Sequence, residues 1–175
     1  MKLIECVPNF SEGNNQSIID SILNSIQAVD GINLLDVDAG KDTNRTVVTF
    51  VGEPENVIKA AFQSIKKASE LIDMTKHTGE HPRMGATDVC PLIPIQNTTI
   101  KECIDYSKIL ASKVSEELNI PIYLYENSAT RKGRVNLSNI RSGEFGAYME
   151  ITSNNWGPVS ILLDSKEKKL SRKSL

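Results

Sequence analysis

The chain has 175 residues, enough for one domain, or one domain with a tail. Its 39% hydrophobic and 24% charged residues exclude a disordered or fibrous chain, and a net charge of −2 offers no general attraction to nucleic acid. No apolar run is long enough to span a membrane, so no membrane or nucleic-acid partner is expected. Cys6, Cys90 and Cys103 form an odd, widely spaced set without a CxxC. They read as reduced thiols in a cytoplasmic protein, and the N-terminus carries no signal-peptide pattern.

In chain order, residues 3–7 read as a strand that leads into Pro8-Asn9-Phe10-Ser11-Glu12-Gly13. Asn9 and Ser11 stand at a strand-to-helix junction, where they serve either a ligand or the cap of the next helix. That helix is expected over 15–29, with Ile18, Ile22 and Ile26 in one row, Ile19 and Leu23 beside it, and Gly31 as its stop. Residues 32–38 form a second strand, on which Asp36 and Asp38, two apart, share a face. A polar turn follows, then a β-rich third strand over 45–52. The short connection predicts an antiparallel pair, with Asp38 and Arg45 flanking one turn as an ion pair or as a polar rim.

Pro54 opens the second helix, whose apolar face is Val57, Ile58, Ala61, Phe62, Ile65, Ala68, Leu71 and Ile72. An apolar strand over 89–95 contains Pro91 and Pro94, which predicts an edge or bulged strand. Thr99-x-x-Glu102 is a capping box for a third helix to about residue 119. Its stripe is Ile100, Cys103, Leu110, Val114 and Leu118, with Ser107 as a polar gap. Residues 120–125 make a fifth strand. The order β-α-β-β-α-β-α-β predicts an α/β fold of the α+β sandwich kind: a mixed β-sheet with amphipathic helices on one face, around a ferredoxin-like βαββαβ core. Beyond 125, Arg131-Lys132-Gly133-Arg134 reads as a solvated basic turn, 136–141 as a short helical turn and 160–164 as a short strand. Residues 165–175 read as a basic, solvated tail.

The densest chemistry lies in His77-Thr78-Gly79-Glu80-His81-Pro82-Arg83-Met84-Gly85-Ala86-Thr87-Asp88, which holds both histidines. No hydrophobic period crosses it, and Gly79, Pro82 and Gly85 mark it as a loop. The spacing His77-x-x-Glu80-His81 fits a zinc-hydrolase pattern, but that chemistry needs both imidazoles on one helix face. Gly79 and Pro82 oppose such a helix, so no metal is expected. Two uses remain for His81. It is an acid–base group oriented by Glu80, Asp88 or a carboxylate from elsewhere, or it fills a polar gap in a turn.

Ile4-Glu5-Cys6-Val7-Pro8-Asn9-Phe10-Ser11-Glu12-Gly13 resembles the opening of the glutamate formiminotransferase family, which is also the N-terminal module of formiminotransferase-cyclodeaminase. Leu35-Asp36-Val37-Asp38-Ala39-Gly40, Asn44-Arg45-Thr46, Phe50-Val51-Gly52, Gly79-Glu80-His81-Pro82-Arg83-Met84-Gly85-Ala86, Asp88-Val89-Cys90-Pro91 and Tyr123-Leu124-Tyr125 continue the likeness. The resemblance runs in order from about residue 2 to 145. It implies helices on one side of a mixed sheet, with the bare face toward a second subdomain and a folate between the two. It implies transfer of a formimino group from N-formimidoylglutamate to N5 of tetrahydrofolate, in histidine degradation, with tetrahydrofolate as co-substrate. His81 takes the family's catalytic histidine position. Asp38 is the candidate to orient His81 or hold the formimino group, Asn9 to act at the transferring centre, and Arg45 and Arg83 to pair with substrate carboxylates.

The chain departs from the family pattern after Arg141-Ser142-Gly143-Glu144-Phe145. Residues 1–145 are expected to be the N-terminal subdomain and 146–175 a divergent tail, with Asn155-Trp156-Gly157-Pro158 faintly resembling the family's linker. On this reading the second subdomain is absent. The chain then works alone, as a homo-oligomer or with a separate C-terminal subdomain, or it is a non-catalytic half-module that only binds ligand.

Overall fold

The computed structural model describes residues 1–142 and 159–163. The basic tail at 165–175 and the Trp156 segment lie outside the described residues. The elements are β1 (Leu3–Cys6), β2 (Asn9–Phe10), α1 (Gln16–Gln27), β3 (Asn33–Gly40), β4 (Arg45–Gly52), α2 (Pro54–Leu71), β5 (Thr87–Gln96), α3 (Ile100–Leu118), β6 (Ile122–Glu126), a 3-10 turn (Lys132–Arg134), α4 (Leu137–Ser142) and β7 (Val159–Leu163).

Local chemistry sets the helix ends. The Asn15 side chain accepts from the Ser17 and Ile18 amides at the start of α1. Pro54 occupies the first turn of α2, where its missing N–H is not needed. Thr99 and Glu102 close a reciprocal capping box on α3, and Asn119 ends that helix in the left-handed region at φ 53°.

The strands form one sheet in the spatial order β3, β4, the collinear pair β1 and β2, β5, β7, β6. The first four positions reproduce the strand order of a βαββαβ core. Every ladder among the described residues is antiparallel, so the sheet they form is antiparallel rather than mixed. The crossover through α3 does leave β5 and β6 running the same way, but β7 lies between them and pairs antiparallel with both.

Of the two alternatives expected for β5, the structure shows the bulged strand and not the edge: it pairs on both sides, and its ladders with β1 and β2 are bulged. The prolines are tolerated because of what stands opposite. Pro91 faces the break between β1 and β2, where its carbonyl accepts the Val7 amide at 3.2 Å. Pro94 lies opposite Ile4 at a register shift.

Strand alternation assigns two faces. Ile4, Cys6, Phe10, Val48, Phe50, Cys90 and Leu92 turn to one side and pack with α1, α2 and α3 in the main core. All three cysteines are free and buried, and Cys6 Sγ lies 3.5 Å from Cys90 Sγ. Burial pushes the Cys6 thiol well above its ordinary pKa, which keeps it protonated and unreactive. Ser107, the polar gap of α3, is fully buried and donates to the Ile104 carbonyl at 2.7 Å. On the opposite face, Val89, Tyr123, Tyr125 and Ile140 form a second cluster with Met84 and Leu137, so α4 covers the β5–β6 end. The Arg134 guanidinium stacks 4.9 Å from the Tyr123 ring centroid, which makes the basic turn part of that cover rather than a solvated loop. The remainder of this face, over β3, β4, β1 and β2, carries no helix among the described residues.

Candidate active site

The register aligns the open face. Asp38 pairs with Val47, Val47 with Asn9, and Asn9 with Val89, so these residues form one row across four strands. Asp36 stands opposite Thr49 in the next row on the same face. Asp38 and Asn9 are two strands apart, roughly 10 Å at the backbone. The Asn9 amide Nδ2 donates to the Val7 carbonyl at 3.1 Å, and among the described residues its Oδ1 has no partner. Arg45, two residues before Val47, brings its side chain to the same face at the end of β4.

The histidine loop closes over that end of the sheet as irregular chain between α2 and β5. Three anchors hold it. The Ser11 hydroxyl donates to the Gly85 carbonyl at 2.7 Å, and the Ser11 amide donates to the Ala86 carbonyl at 2.8 Å. Asn44, itself left-handed at φ 45°, accepts the Gly13 amide at 2.8 Å and donates to the Thr78 carbonyl at 2.8 Å. Arg83 donates to the carbonyls of His81 (2.8 Å), Asn44 (2.6 Å) and Thr43, and its Nη1 lies 2.5 Å from His77 Nε2. Gly13 allows the close approach, since a Cβ there would stand 2.3 Å from the Gly40 carbonyl oxygen and 2.6 Å from the Arg45 amide nitrogen.

His81 sits where the loop meets the open face, with 23% of its side chain exposed. Its Nε2 is 3.1 Å from Arg45 Nη1 and 3.9 Å from Asp88 Oδ2. Burial, together with the Arg45 and Arg141 guanidiniums, holds the imidazole below the ordinary histidine pKa, against the opposite pull of Asp88. The ring is therefore neutral at pH 7, and its contact with Asp88 is not an ion pair there. Asp88 is answered by Arg141, which donates to Oδ2, while Oδ1 accepts the Met84 amide at 3.0 Å.

The structure thus brings His81 and Arg45 into contact and places Asn9 and Asp38 on the adjoining face. Asp38 is exposed, and among the described residues it forms no ion pair with His81 or Arg45; Asp88 is the carboxylate beside His81. Arg45 meets the imidazole rather than Asp38, which lies on the same face two pairs further along the β3–β4 ladder. Arg83 is engaged by carbonyl oxygens and positions the loop, which leaves its fork unavailable to a substrate carboxylate. Arg141 was not singled out by sequence reasoning. It lies 53 residues from Asp88, and no local spacing signals the pair. Asn44 sits inside a motif noted from sequence, and its left-handed turn is the signal for its anchoring role. His77 and His81 do not share a helix face, and His77 Nε2 lies 3.2 Å from the Asn44 carbonyl oxygen. Among the described residues no three His, Cys, Asp or Glu side chains gather as a metal ion would need. No described helix is long and apolar enough to cross a membrane.

Comparison with known proteins now fixes the family. The profile of the formiminotransferase domain, N-terminal subdomain, matches residues 3–169. The chain belongs to the formiminotransferase N-terminal subdomain family. That match includes β7 and runs past residue 145, where the sequence motifs thin out. The chain is 52% identical over 158 residues to the formimidoyltransferase-cyclodeaminase of Dictyostelium discoideum, covering 90% of this chain and 29% of that protein. It is 50% identical over 158 residues to the glutamate formimidoyltransferase of Streptococcus pyogenes serotype M1, covering 90% of this chain and 53% of the relative. It is 46% identical over 145 residues to the glutamate formimidoyltransferase of Thermoplasma acidophilum, covering 83% and 48%. The chain therefore spans about half the length of these glutamate formimidoyltransferases and less than a third of the bifunctional relative.

Proposed function

We propose that this chain carries the N-terminal half of a cytoplasmic site that moves a formimino group from N-formimidoylglutamate to N5 of tetrahydrofolate, with His81 as the proton carrier. The observation that supports this most directly is a neutral, part-exposed imidazole held at the end of an open sheet face, in a chain whose relatives are named for that transfer.

The chemistry asks for one group that takes a proton and gives it back. A C–N bond forms between the amidine carbon and N5 of the folate, and His81 accepts the proton that N5 loses. The C–N bond to the glutamate nitrogen then breaks, and His81 returns the proton to the departing amine. A histidine held neutral near pH 7 suits both steps. Asn9, whose Oδ1 has no partner among the described residues, and Asp38, in the same row, offer polar groups to the transferring centre. Arg45 receives a substrate carboxylate through its planar fork. Arg83 acts indirectly, by shaping the loop that presents His81. The uncovered strands β3, β4, β1 and β2 offer half of an enclosure. A C-terminal subdomain or a second copy of the chain closes it, excludes water and strengthens the electrostatics inside.

The test is a transfer assay with tetrahydrofolate and N-formimidoylglutamate on the wild-type chain and on His81→Ala, alongside calorimetric titration with tetrahydrofolate. Transfer lost in the variant supports the reading. Folate binding without transfer assigns the chain a binding half-module, and neither binding nor transfer overturns the proposal for this chain alone.

A further inference from the structure

Three guanidiniums face His81, and their partners differ. Arg83, from the loop, is held by the carbonyls of Thr43, Asn44 and His81. Arg141, from α4, is held by Asp88 of β5. Arg45, from β4, has His81 Nε2 as its one side-chain partner among the described residues. Three cations thus surround one carboxylate, in a chain whose net charge is −2, and among the described residues only Arg45 of the three is without an oxygen partner.

A guanidinium can only donate hydrogen bonds. The 3.1 Å contact therefore engages the Nε2 lone pair and puts the proton of the neutral ring on Nδ1. A neutral imidazole has one lone pair, so in this arrangement His81 has none free with which to take a proton. We propose that Arg45 is a substrate-operated gate on His81: it caps Nε2 until a carboxylate of a five-carbon dicarboxylic substrate draws the guanidinium away, and only then is the ring a base. This rests on the assignment of His81 as proton carrier. A carboxylate offers the guanidinium two charged oxygens in place of one neutral nitrogen, so the exchange favours the substrate. Nucleophile and base are then assembled only when the formimino donor is present, which links recognition of the donor to the start of the reaction.

The experiment is nitrogen-15 NMR of the imidazoles, with glutarate as the probe. The chain has two histidines, so His81→Asn assigns the signals. In the free wild type His81 is expected as the Nδ1–H tautomer. Glutarate is expected to shift it to a mixture of tautomers and to raise its titration midpoint by roughly half to one unit, the effect of moving one charge off a part-exposed ring. Arg45→Gln is expected to show the mixed tautomers and raised midpoint without glutarate and to respond no further. Arg45→Met, which keeps an aliphatic stem on the sheet face, replaces it if the Gln variant fails to fold. An Nε2–H tautomer in the free wild type, or a ring unchanged at every glutarate concentration, overturns the gate. Absent transfer with an intact glutarate response defeats the proposed reaction and leaves the gate standing. Transfer with an unresponsive ring defeats the gate alone.

Discussion

Replacing Asp88 by Asn tests the least exposed charge at the site. The Asp88 side chain is 2% exposed and accepts from both the Met84 amide and Arg141. Asn keeps the shape and keeps an oxygen for the Met84 amide. It loses the negative charge and turns an N–H2 group toward a guanidinium that has only donors. A charge-assisted hydrogen bond of this kind contributes about 1.5–3 kcal/mol. Arg141 retains 21% exposure, so water answers part of its charge and the lower half of that range applies. Asp88→Asn should therefore lower stability by about 2 kcal/mol, which in a chain of this length is a fall in Tm of about 4–8 °C. Urea denaturation of Asp88→Asn, Arg141→Met and the double variant should give a coupling of about 1 kcal/mol or more between the two positions. Loss of the carboxylate also removes the one pull that raises His81, so the imidazole should titrate lower in Asp88→Asn than in the wild type. A single variant that loses less than about 0.5 kcal/mol, with additive effects in the double, would refute the buried pair as the support behind His81.

Gly13→Ala should force backbone atoms apart at the Gly40 and Arg45 contacts and lower stability by about 1–3 kcal/mol, read by thermal unfolding. Thr99→Ala removes one half of the α3 capping box and should cost about 1 kcal/mol in the same assay. For pH, His81 is depressed below its unfolded value of 6.5, so the unfolded chain binds more protons than the folded one just below that pH. Stability is then complete above 6.5 and falls as pH drops toward the folded pKa, a slope that His81→Asn should flatten in denaturation curves at pH 5–7.

How far the sequence reaches depends on whether a feature is local. β4, Arg45–Gly52, has the boundaries read from its β-branched run, and the Thr99–Glu102 box closes as its spacing predicts. The histidine loop is irregular because Gly79, Pro82 and Gly85 break every period. Asp36 and Asp38 share the open face, as alternation requires, even with a bulge at Leu35. What was not legible is set by partners distant in sequence. Pro91 and Pro94 leave an edge strand and a bulged strand open, and the choice rests on the β1–β2 break opposite Pro91 and the register shift opposite Pro94. β7 is read from sequence as a short strand over 160–164 and forms at Val159–Leu163, but its place in the slot between β5 and β6 is set by those distant partners. The residues alone leave Glu80, Asp88 or a distant carboxylate as the partner of His81 and the resemblance offers Asp38, whereas the fold seats Asp88 beside the imidazole.

The two loop-side arginines divide the work by what they bind. Arg83 takes neutral carbonyl oxygens of Thr43, Asn44 and His81, so it fixes where the loop runs and adds an uncompensated positive charge behind the imidazole. Arg141 takes the carboxylate of Asp88, which anchors α4 to β5 and nearly cancels its own charge. Without Arg141 the Asp88 carboxylate would face His81 unanswered and raise its pKa toward a protonated ring, unfit to take a proton at neutral pH. The pattern of one neutralised and two unneutralised guanidiniums therefore does two things with the same atoms. It keeps His81 neutral, and it leaves net positive charge at the mouth of the site for an anionic substrate.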